Sequence, residues 1–402
     1  VPTDIRSAAD LIAKWPVVTK TEMAEDAQAH PPYGTYSAMT EDVWAKRGWM
    51  MFLTSGSTGA PRVFRYSHID RDYWAWANAR ALHAMDFKQG DTVLMVTGYG
   101  PHVYAWGVQQ ALTKMGLPTI PGGGMDARAR ANAIIRFKPT IFLTTPSYAL
   151  HLGRVMQDLG HNPRTTSIRT IFVGGEPAMS VAATRERIQN LWGARLVEFY
   201  GCTEASPHVG GYSCPASQAA DGSVSTHLME DIQLWETVDP DKLQPVARGQ
   251  RGLTVCTCLN SESSPQLRFL VGDYTVLDHT PCACGRTHVR ALGSFQGRAD
   301  DLINLRGIKM FPTQIEEAVR GVAGIGDEFE IVLTTNADGL DVMTVRVEHA
   351  EHENGGGIRA KIVDEIRTRC EVRSDVEVLK PGTLPKTEFK AARVKGRRGK
   401  GV

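Results

Sequence analysis

Residues 140–200 read TIFLTTPSYALHLGRVMQDLGHNPRTTSIRTIFVGGEPAMSVAATRERIQNLWGARLVEFY, and their pattern decides the fold. Three short runs, Thr140–Thr144, Thr170–Val173 and Arg195–Tyr200, are rich in β-branched or aromatic residues and bounded by Gly, Pro or charge. Such runs read as strands. Between them Tyr148–Leu159 and Val181–Leu191 read as helices. Strand–helix alternation implies an α/β fold, a parallel sheet with helices on both faces. Thr92–Val96 and Ala127–Phe137 extend the alternation upstream. Ligands of such sheets sit beyond the C-terminal ends of strands, where Gly174-Gly175-Glu176-Pro177 lies.

From about Gly211 the pattern changes to short β-like runs with many turns. Near Gly297 it changes again. Pro312–Arg320 and Gly357–Cys370 read as helices, and Glu328–Thr335 and Leu340–Glu348 as strands joined by the turn Asn336–Gly339. The expected organisation is a large domain over residues 1–297, with a β-rich portion at about 208–290, and a small α+β domain over 298–402. Glu351–Gly357 reads as a flexible turn, and Lys395–Val402 as a solvated, frayed terminus.

Composition narrows the partners. Lys+Arg (45) and Asp+Glu (44) nearly cancel in 402 residues, so no global field favours nucleic acid or membrane. The apolar runs are too short to span a bilayer, and no leader sequence opens the chain. Seven cysteines at irregular spacing do not resemble a secreted disulfide framework. A reducing cytoplasm is the expected location.

Thr54-Ser55-Gly56-Ser57-Thr58-Gly59-Ala60-Pro61-Arg62 follows the apolar run Trp49–Leu53. Glycines let backbone N–H groups approach an anion, and hydroxyls add donors, so the loop suits phosphates. A plain Ser/Gly surface turn has the same composition. The GKS/GKT ending of a Walker loop is missing.

Five segments in order resemble the adenylate-forming ligases, the family of acyl-CoA synthetases, luciferases and peptide-synthetase adenylation domains. They are the TSGSTGAPR loop, Phe199-Tyr200-Gly201-Cys202-Thr203-Glu204, Val271-Gly272-Asp273, Gly297-Arg298-Ala299-Asp300-Asp301 running on to Arg306-Gly307, and Leu384-Pro385-Lys386-Thr387-Glu388-Phe389-Lys390. The wording GRADDLINLRGIKMFPTQIEEAV after Cys-Ala-Cys-Gly-Arg is similar to the phenylacetate–CoA ligase branch. The opening resembles that branch just after its first helices, so a few tens of family residues are expected to be missing before Val1.

The resemblance implies roles. Thr54, Ser55, Gly56, Ser57, Thr58 and Gly59 would hold the pyrophosphate end of ATP. Glu204 would hold Mg²⁺, and Thr203 would contact the α-phosphate. Phe199, Tyr200 and Gly201, with Gly174, Gly175, Glu176 and Pro177, would flank adenine. Asp273 would accept from both ribose hydroxyls, with Arg298 adding a contact. Asp300 would be the hinge, and Gly307 would line the pantetheine path. Lys390 would bridge the reacting carboxylate and phosphate, with Lys386 ranked second. The family usually has Lys where Arg62 stands and Gly where Phe389 stands.

Cys282-Ala283-Cys284 lies in a Pro–Gly turn. Buried thiols in a turn would read the same way. In the resembling branch a Cys and a His follow YGxTE, and Cys214 and His227 occupy that region. The set Cys214, His227, Cys282 and Cys284 would form a structural zinc site. His208, His288, Cys256 and Cys258 are alternatives to its least secure member, His227. In the family the segment Gly98–Trp106 lines the acyl pocket. Its aromatics, with Tyr99, His102 and Tyr104, suit a flat or apolar acid, and an aromatic one is expected.

The expected activity is acyl-adenylate formation from a small carboxylic acid and ATP, then thioester formation with coenzyme A. Delivery to a carrier-protein thiol or an amine is the alternative within the same chemistry. A non-catalytic adenylate-binding protein is the alternative outside it, favoured by Arg62 and Phe389. A homodimer is compatible with all three.

Overall fold

A computed structural model describes residues 4–54, 62–336, 340–350, 352, 355–387 and 393–396. The chain divides into two compact units. One comprises Val1–Gly124, Pro139–Phe142 and Val197–Phe295; the other comprises Met125–Lys138, Leu143–Leu196 and Gln296–Val402. The break before Gln296 lies beside the 297/298 boundary read from the sequence, but the second unit also takes in segments from the first half of the chain.

In the first unit an antiparallel hairpin pairs Gly48–Leu53 with Val63–Ser67, Phe52 opposite Phe64. The helix His68–Ala84 starts at once, because Ser67 and Asp70 form a reciprocal capping box. Val93–Met95 and Thr119–Pro121 are parallel neighbours, and the helix Val103–Met115 lies between them in the chain. That helix stops at Gly116 in the left-handed conformation (φ +68°), where Gly avoids a Cβ clash.

An antiparallel run follows. Its spatial order is Gln233–Val238, Arg251–Cys258, Phe269–Asp278, Arg290–Leu292, Ser225–Leu228, Val209–Tyr212 and Arg195–Gly201. The core of this unit gathers Phe52, Tyr66, Trp74, Trp235, Phe269 and Phe295. Each such side chain, fully buried, contributes roughly 1.5–3 kcal/mol. A buried ion pair ties the N-terminus to the run: Arg268 donates to Glu236 through Nε and Nη2 (3.1 and 2.9 Å) and to the Ile12 and Trp15 carbonyls.

In the second unit Ala127–Phe137, Pro146–Asp158 and Ala182–Trp192 are helices, and Thr170–Val173 is a fully buried strand. The C-terminal part opens with the hairpin Ile303–Leu305/Ile308–Met310. Helix Pro312–Gly321 follows, then a sheet ordered Asp375–Leu379, Asp341–His349, Ile325–Thr335, Val394–Gly396 with helix Gly356–Cys370. Ile315, Val319, Phe329, Ile331, Val345 and Ile366 centre its core.

The α/β expectation holds, with the small α+β part at the C-terminus. Two local readings are corrected. Lys395 and Gly396 are not a frayed end: they lie in a strand parallel to Ile325–Thr335, with Lys395 paired to Glu330. Gly356 and Gly357 are not turn but the first residues of a helix whose inward Ile362 and Ile366 supply the packing. The turn at 337–339 lies outside the described residues. Among the described residues no helix is long and apolar enough to cross a membrane.

Candidate active site

The hairpin brings Thr54 and Arg62 together. Thr54 N–H donates to the Arg62 carbonyl, and Arg62 N–H donates to Thr54 Oγ1, both at 3.0 Å. Ser55, Gly56, Ser57, Thr58 and Gly59 lie outside the described residues, between these two clasped ends.

The Arg62 guanidinium spans to the YGCTE segment. Nη2 donates to Glu204 Oε1 at 2.7 Å, and Nη1 to the Lys20 carbonyl at 3.1 Å. The paired side chains are only 13% and 9% exposed, so solvent screens the contact weakly. The Lys20 ammonium in turn donates to the Val271 carbonyl at 2.9 Å. Four distant stretches of chain are therefore linked by one series of contacts that ends on the Glu204 carboxylate.

The loop holding Glu204 is fixed at its base. Cys202 N–H donates to the His208 carbonyl at 3.2 Å, and a Cβ at Gly201 would lie 1.9 Å from that oxygen. Only glycine allows this approach. The buried Tyr66 hydroxyl donates to the Thr203 carbonyl at 2.7 Å. The Cys202 thiol is pushed well up by burial and then by the Glu204 charge, so it is no nucleophile.

Tyr200 connects this loop to Asp273. Its hydroxyl donates to Asp273 Oδ2 at 2.6 Å, and its ring lies on Phe295, centroids 3.3 Å apart and 12° from parallel. Burial first, then the Asp273 charge, raises the Tyr200 hydroxyl, which stays protonated and a donor. Thr254 Oγ1, on the neighbouring strand, donates to the Asp273 carbonyl at 3.0 Å. Thr203, Glu204, Tyr200, Gly201 and Asp273 are thus brought together within the first unit. Arg62, Lys20, Tyr66 and Phe295 complete the group.

The aromatic segment makes its own contacts in this unit. Tyr99 donates to Gln109 Oε1 at 2.7 Å and meets Trp106 edge-on at 5.0 Å. His102 Nδ1 lies 3.2 Å from the Leu53 carbonyl. The Tyr104 ring meets the buried Phe199 at 5.8 Å.

The predicted Gly174–Pro177 turn and the Arg298, Asp300, Gly307, Lys386 and Lys390 positions belong to the second unit. Gly174–Pro177 follows the strand Thr170–Val173, and Glu176 accepts from Ser147 N–H and Oγ (3.1 and 2.8 Å). Arg298 Nη2 lies 3.4 Å from Asp300 Oδ2. Gly307 turns the hairpin with Arg306, both at positive φ, which suits a two-residue primed turn, and nothing lies within 4 Å of where its Cβ would be. Lys386 is exposed. Lys390 lies outside the described residues.

Cys214, His227, Cys282 and Cys284 place their ligand atoms within 4.8 Å of one another, three of the four residues being buried. Cys214 Sγ and Cys282 Sγ are 3.8 Å apart, and Cys284 Sγ lies 3.4 Å from His227 Nε2. A tetrahedron with Zn–S bonds of about 2.3 Å has S–S edges of about 3.8 Å, so spacing and donor types both fit zinc. Burial, then the nearby Arg286 and Arg290, lowers the His227 imidazole to about 4, so it is neutral as a ligand must be. Burial acts to raise Cys284, but donors from Arg286 outweigh it and bring the thiol to about 7. The alternatives are elsewhere: Cys256 and Cys258 are in the core, His288 faces Asp231 at 3.5 Å, and His208 packs on Trp74.

Lys20, Tyr66 and Phe295 were not legible as site residues. Lys20 follows an ordinary helix cap, and the aromatics match the core pattern around them. Their role exists only through pairings across 95 to 251 positions of sequence.

Known proteins are similar to this chain in sequence and fold. Residues 5–256 match the model of the AMP-binding enzyme family, and residues 307–398 match that of the AMP-binding enzyme C-terminal domain. A phenylacetate-coenzyme A ligase of Thermus thermophilus is 30% identical over 96% of this chain and 87% of its own length. The Escherichia coli protein of that name is 29% identical over 98% and 86%. The solved structure of a 2-hydroxyisobutyryl-CoA ligase in the postadenylation state, with an acyl-AMP, superposes with a TM-score of 0.89 at 29% identity, covering 99% of this chain and 83% of that one. The same ligase in its thioesterification state, with acyl-AMP and CoA, gives 0.70 at 30% identity, covering 98% and 82%. With its motifs in order and its relatives matched over nearly their whole length, this chain belongs to the AMP-binding enzyme family, in the branch of the phenylacetate–coenzyme A ligases.

Proposed function

We propose that the protein is an AMP-forming carboxylate–CoA ligase. A substrate carboxylate oxygen attacks the α-phosphorus of ATP and pyrophosphate leaves. The coenzyme A thiol then attacks the acyl carbon, and AMP leaves with the electron pair of the broken C–O bond. The observation that carries this reading is the continuity of Tyr200, Gly201, Cys202, Thr203 and Glu204, with Asp273 tied to one end and Arg62 to the other. Spaced this way, Asp273 serves the ribose hydroxyls, the Tyr200 side serves the base, and Thr203 and Glu204 serve the α-phosphate.

Glu204 is the carboxylate that would hold Mg²⁺, which neutralises phosphate charge when bound. In this reading Arg62 and Lys390 would balance the negative charge that builds on the phosphates during attack. Cys214, His227, Cys282 and Cys284 would hold a structural zinc that staples a loop-rich part of the first unit. The half-buried faces of Tyr99, Tyr104 and Trp106 favour an aromatic acid.

Acid-dependent ATP–pyrophosphate exchange tests this across a panel that includes phenylacetate and 2-hydroxyisobutyrate. Thioester formation on adding coenzyme A is the second readout. Exchange with at least one acid, followed by CoA thioester, is the expected result. ATP binding without exchange for any acid refutes it, and acyl transfer to a carrier protein but not to CoA refutes the acceptor.

A further inference from the structure

Consecutive carboxylates, Asp327 and Glu328, sit on the strand Ile325–Thr335 with side chains only 15% and 11% exposed. The pairing register of the strand shifts between Ile325 and Phe329, and the two acids there serve different partners. Asp327 accepts from Arg154 Nε at 3.2 Å and Arg187 Nη2 at 3.1 Å, on the helices Pro146–Asp158 and Ala182–Trp192. On the same side Thr184 donates to Glu316 at 2.6 Å, and Ala183 N–H to Glu317 at 3.0 Å.

Glu328 faces the C-terminal strand instead. Thr387 donates to it twice, through N–H and Oγ1, each at 2.9 Å. Arg393 Nη1 donates to the same carboxylate. The Arg393 guanidinium lies over the Phe329 ring at 4.6 Å, and its Nη2 reaches Ser147 Oγ at 3.3 Å. Ser147 donates in turn to Glu176, in the turn that the resemblance assigns to adenine.

Thr387 and Arg393 are the described residues on either side of 388–392, which include Lys390. One carboxylate thus holds both flanks of the stretch that carries the proposed catalytic lysine. The Arg393–Ser147–Glu176 chain fixes the same flank to the first turn of a helix. Surface ion pairs alone would mean little. Here the acids are largely buried, and each accepts from at least two donors, with Arg at each.

We propose that Glu328 and Asp327 are positioning residues for the adenylation half-reaction: Glu328 sets the two flanks of the lysine segment, and Asp327 holds the C-terminal sheet against the helices that bear Ser147 and Thr184. This rests on Lys390 being the adenylating lysine. On that reading the lysine acts in adenylation only, so thioester formation would not need the clamp.

The experiment uses the full chain with Glu328→Gln, Asp327→Asn and Lys390→Ala. Two half-reactions are measured separately, acid-dependent ATP–pyrophosphate exchange and thioester formation from synthetic acyl-adenylate with CoA. Misplacing a reacting group by about 1 Å costs on the order of 100-fold in rate, so Glu328→Gln is expected to lower the exchange kcat by roughly 10- to 100-fold. Its KM for ATP and its rate with supplied acyl-adenylate stay at the wild-type values, and Glu328→Asp restores part of the exchange. Exchange unchanged in Glu328→Gln while Lys390→Ala is impaired overturns the proposal. Both half-reactions falling together also overturns it, because that is general loss of structure. Absence of exchange in the wild-type chain fails the functional reading instead, and exchange unimpaired in Lys390→Ala fails the lysine assignment; either removes the basis of the clamp.

Discussion

Acidification will loosen this protein through His208, and the size of the effect follows from its surroundings. The imidazole is 1% exposed, packed on Trp74 (5.0 Å) and Phe199 (5.4 Å), and neither ring nitrogen has a hydrogen-bond partner among the described residues. Burial alone lowers it to about 3. In the unfolded chain the same group titrates near 6.5. The depressed value means the native state resists the proton that the unfolded state accepts. The contribution is therefore intact above pH 6.5 and is lost progressively as pH falls towards 3. Between pH 7.5 and 5.0 the linkage relation gives a loss of about 2 kcal/mol at about 1.4 kcal/mol per pH unit. His208→Leu keeps an apolar side chain of similar size and removes the titration. Urea unfolding of both proteins at pH 7.5 and 5.0 isolates the term, since every other group cancels in the difference. The wild type should lose about 2 kcal/mol more than His208→Leu over that interval. Because the His208 carbonyl anchors Cys202, exchange activity should fall along with stability. Equal losses in the two proteins refute the assignment of a buried, neutral, unpartnered imidazole.

Three other outcomes are expected. Cys282→Ser should purify with far less than one zinc per chain and a lowered Tm, while the wild type retains the metal through gel filtration; equal zinc content in both contradicts the ligand set. Arg62→Ala removes a charge-assisted bond worth roughly 1.5–3 kcal/mol from Glu204, so Mn²⁺ binding without nucleotide, read by electron paramagnetic resonance, should tighten about 10- to 100-fold; unchanged affinity means Arg62 does not compete for that carboxylate. Glu236→Gln strands the buried Arg268 charge and should cost about 3–5 kcal/mol by urea unfolding with zinc content unchanged; a cost below 1 kcal/mol would show the pair to be solvated.

Much of the fold was legible because its strands are short, apolar and separated by helices of one period. Thr170–Val173 and Ala127–Phe137 have the bounds read from the sequence, and Thr92–Val96 shortens by one residue at each end. The helix expected from Tyr148 begins at Pro146, and the signal was present: Pro at the first helical position after a Thr cap. The strand at Val394–Gly396 was not legible, since a basic, Gly-rich stretch pairs only because Ile331 to Leu333 lie alongside. The candidate zinc ligands could be picked out because Cys282 and Cys284 share one turn and the family resemblance points to Cys214 and His227. Arg62 was noticed only as a departure from Lys. Its contact with Glu204, 142 positions away, depends on the closure of the hairpin and cannot be seen in one dimension.

The central claim is that the carboxylate oxygen of the acid attacks the α-phosphorus of ATP at the site built around Glu204 and Asp273. Turnover with an acid labelled with ¹⁸O in its carboxylate, followed by mass spectrometry of the nucleotide, reads that bond directly. The account predicts AMP carrying one labelled oxygen, with Glu204→Gln forming it at a small fraction of the wild-type rate. Unlabelled AMP, or ADP accompanied by labelled inorganic phosphate, contradicts it.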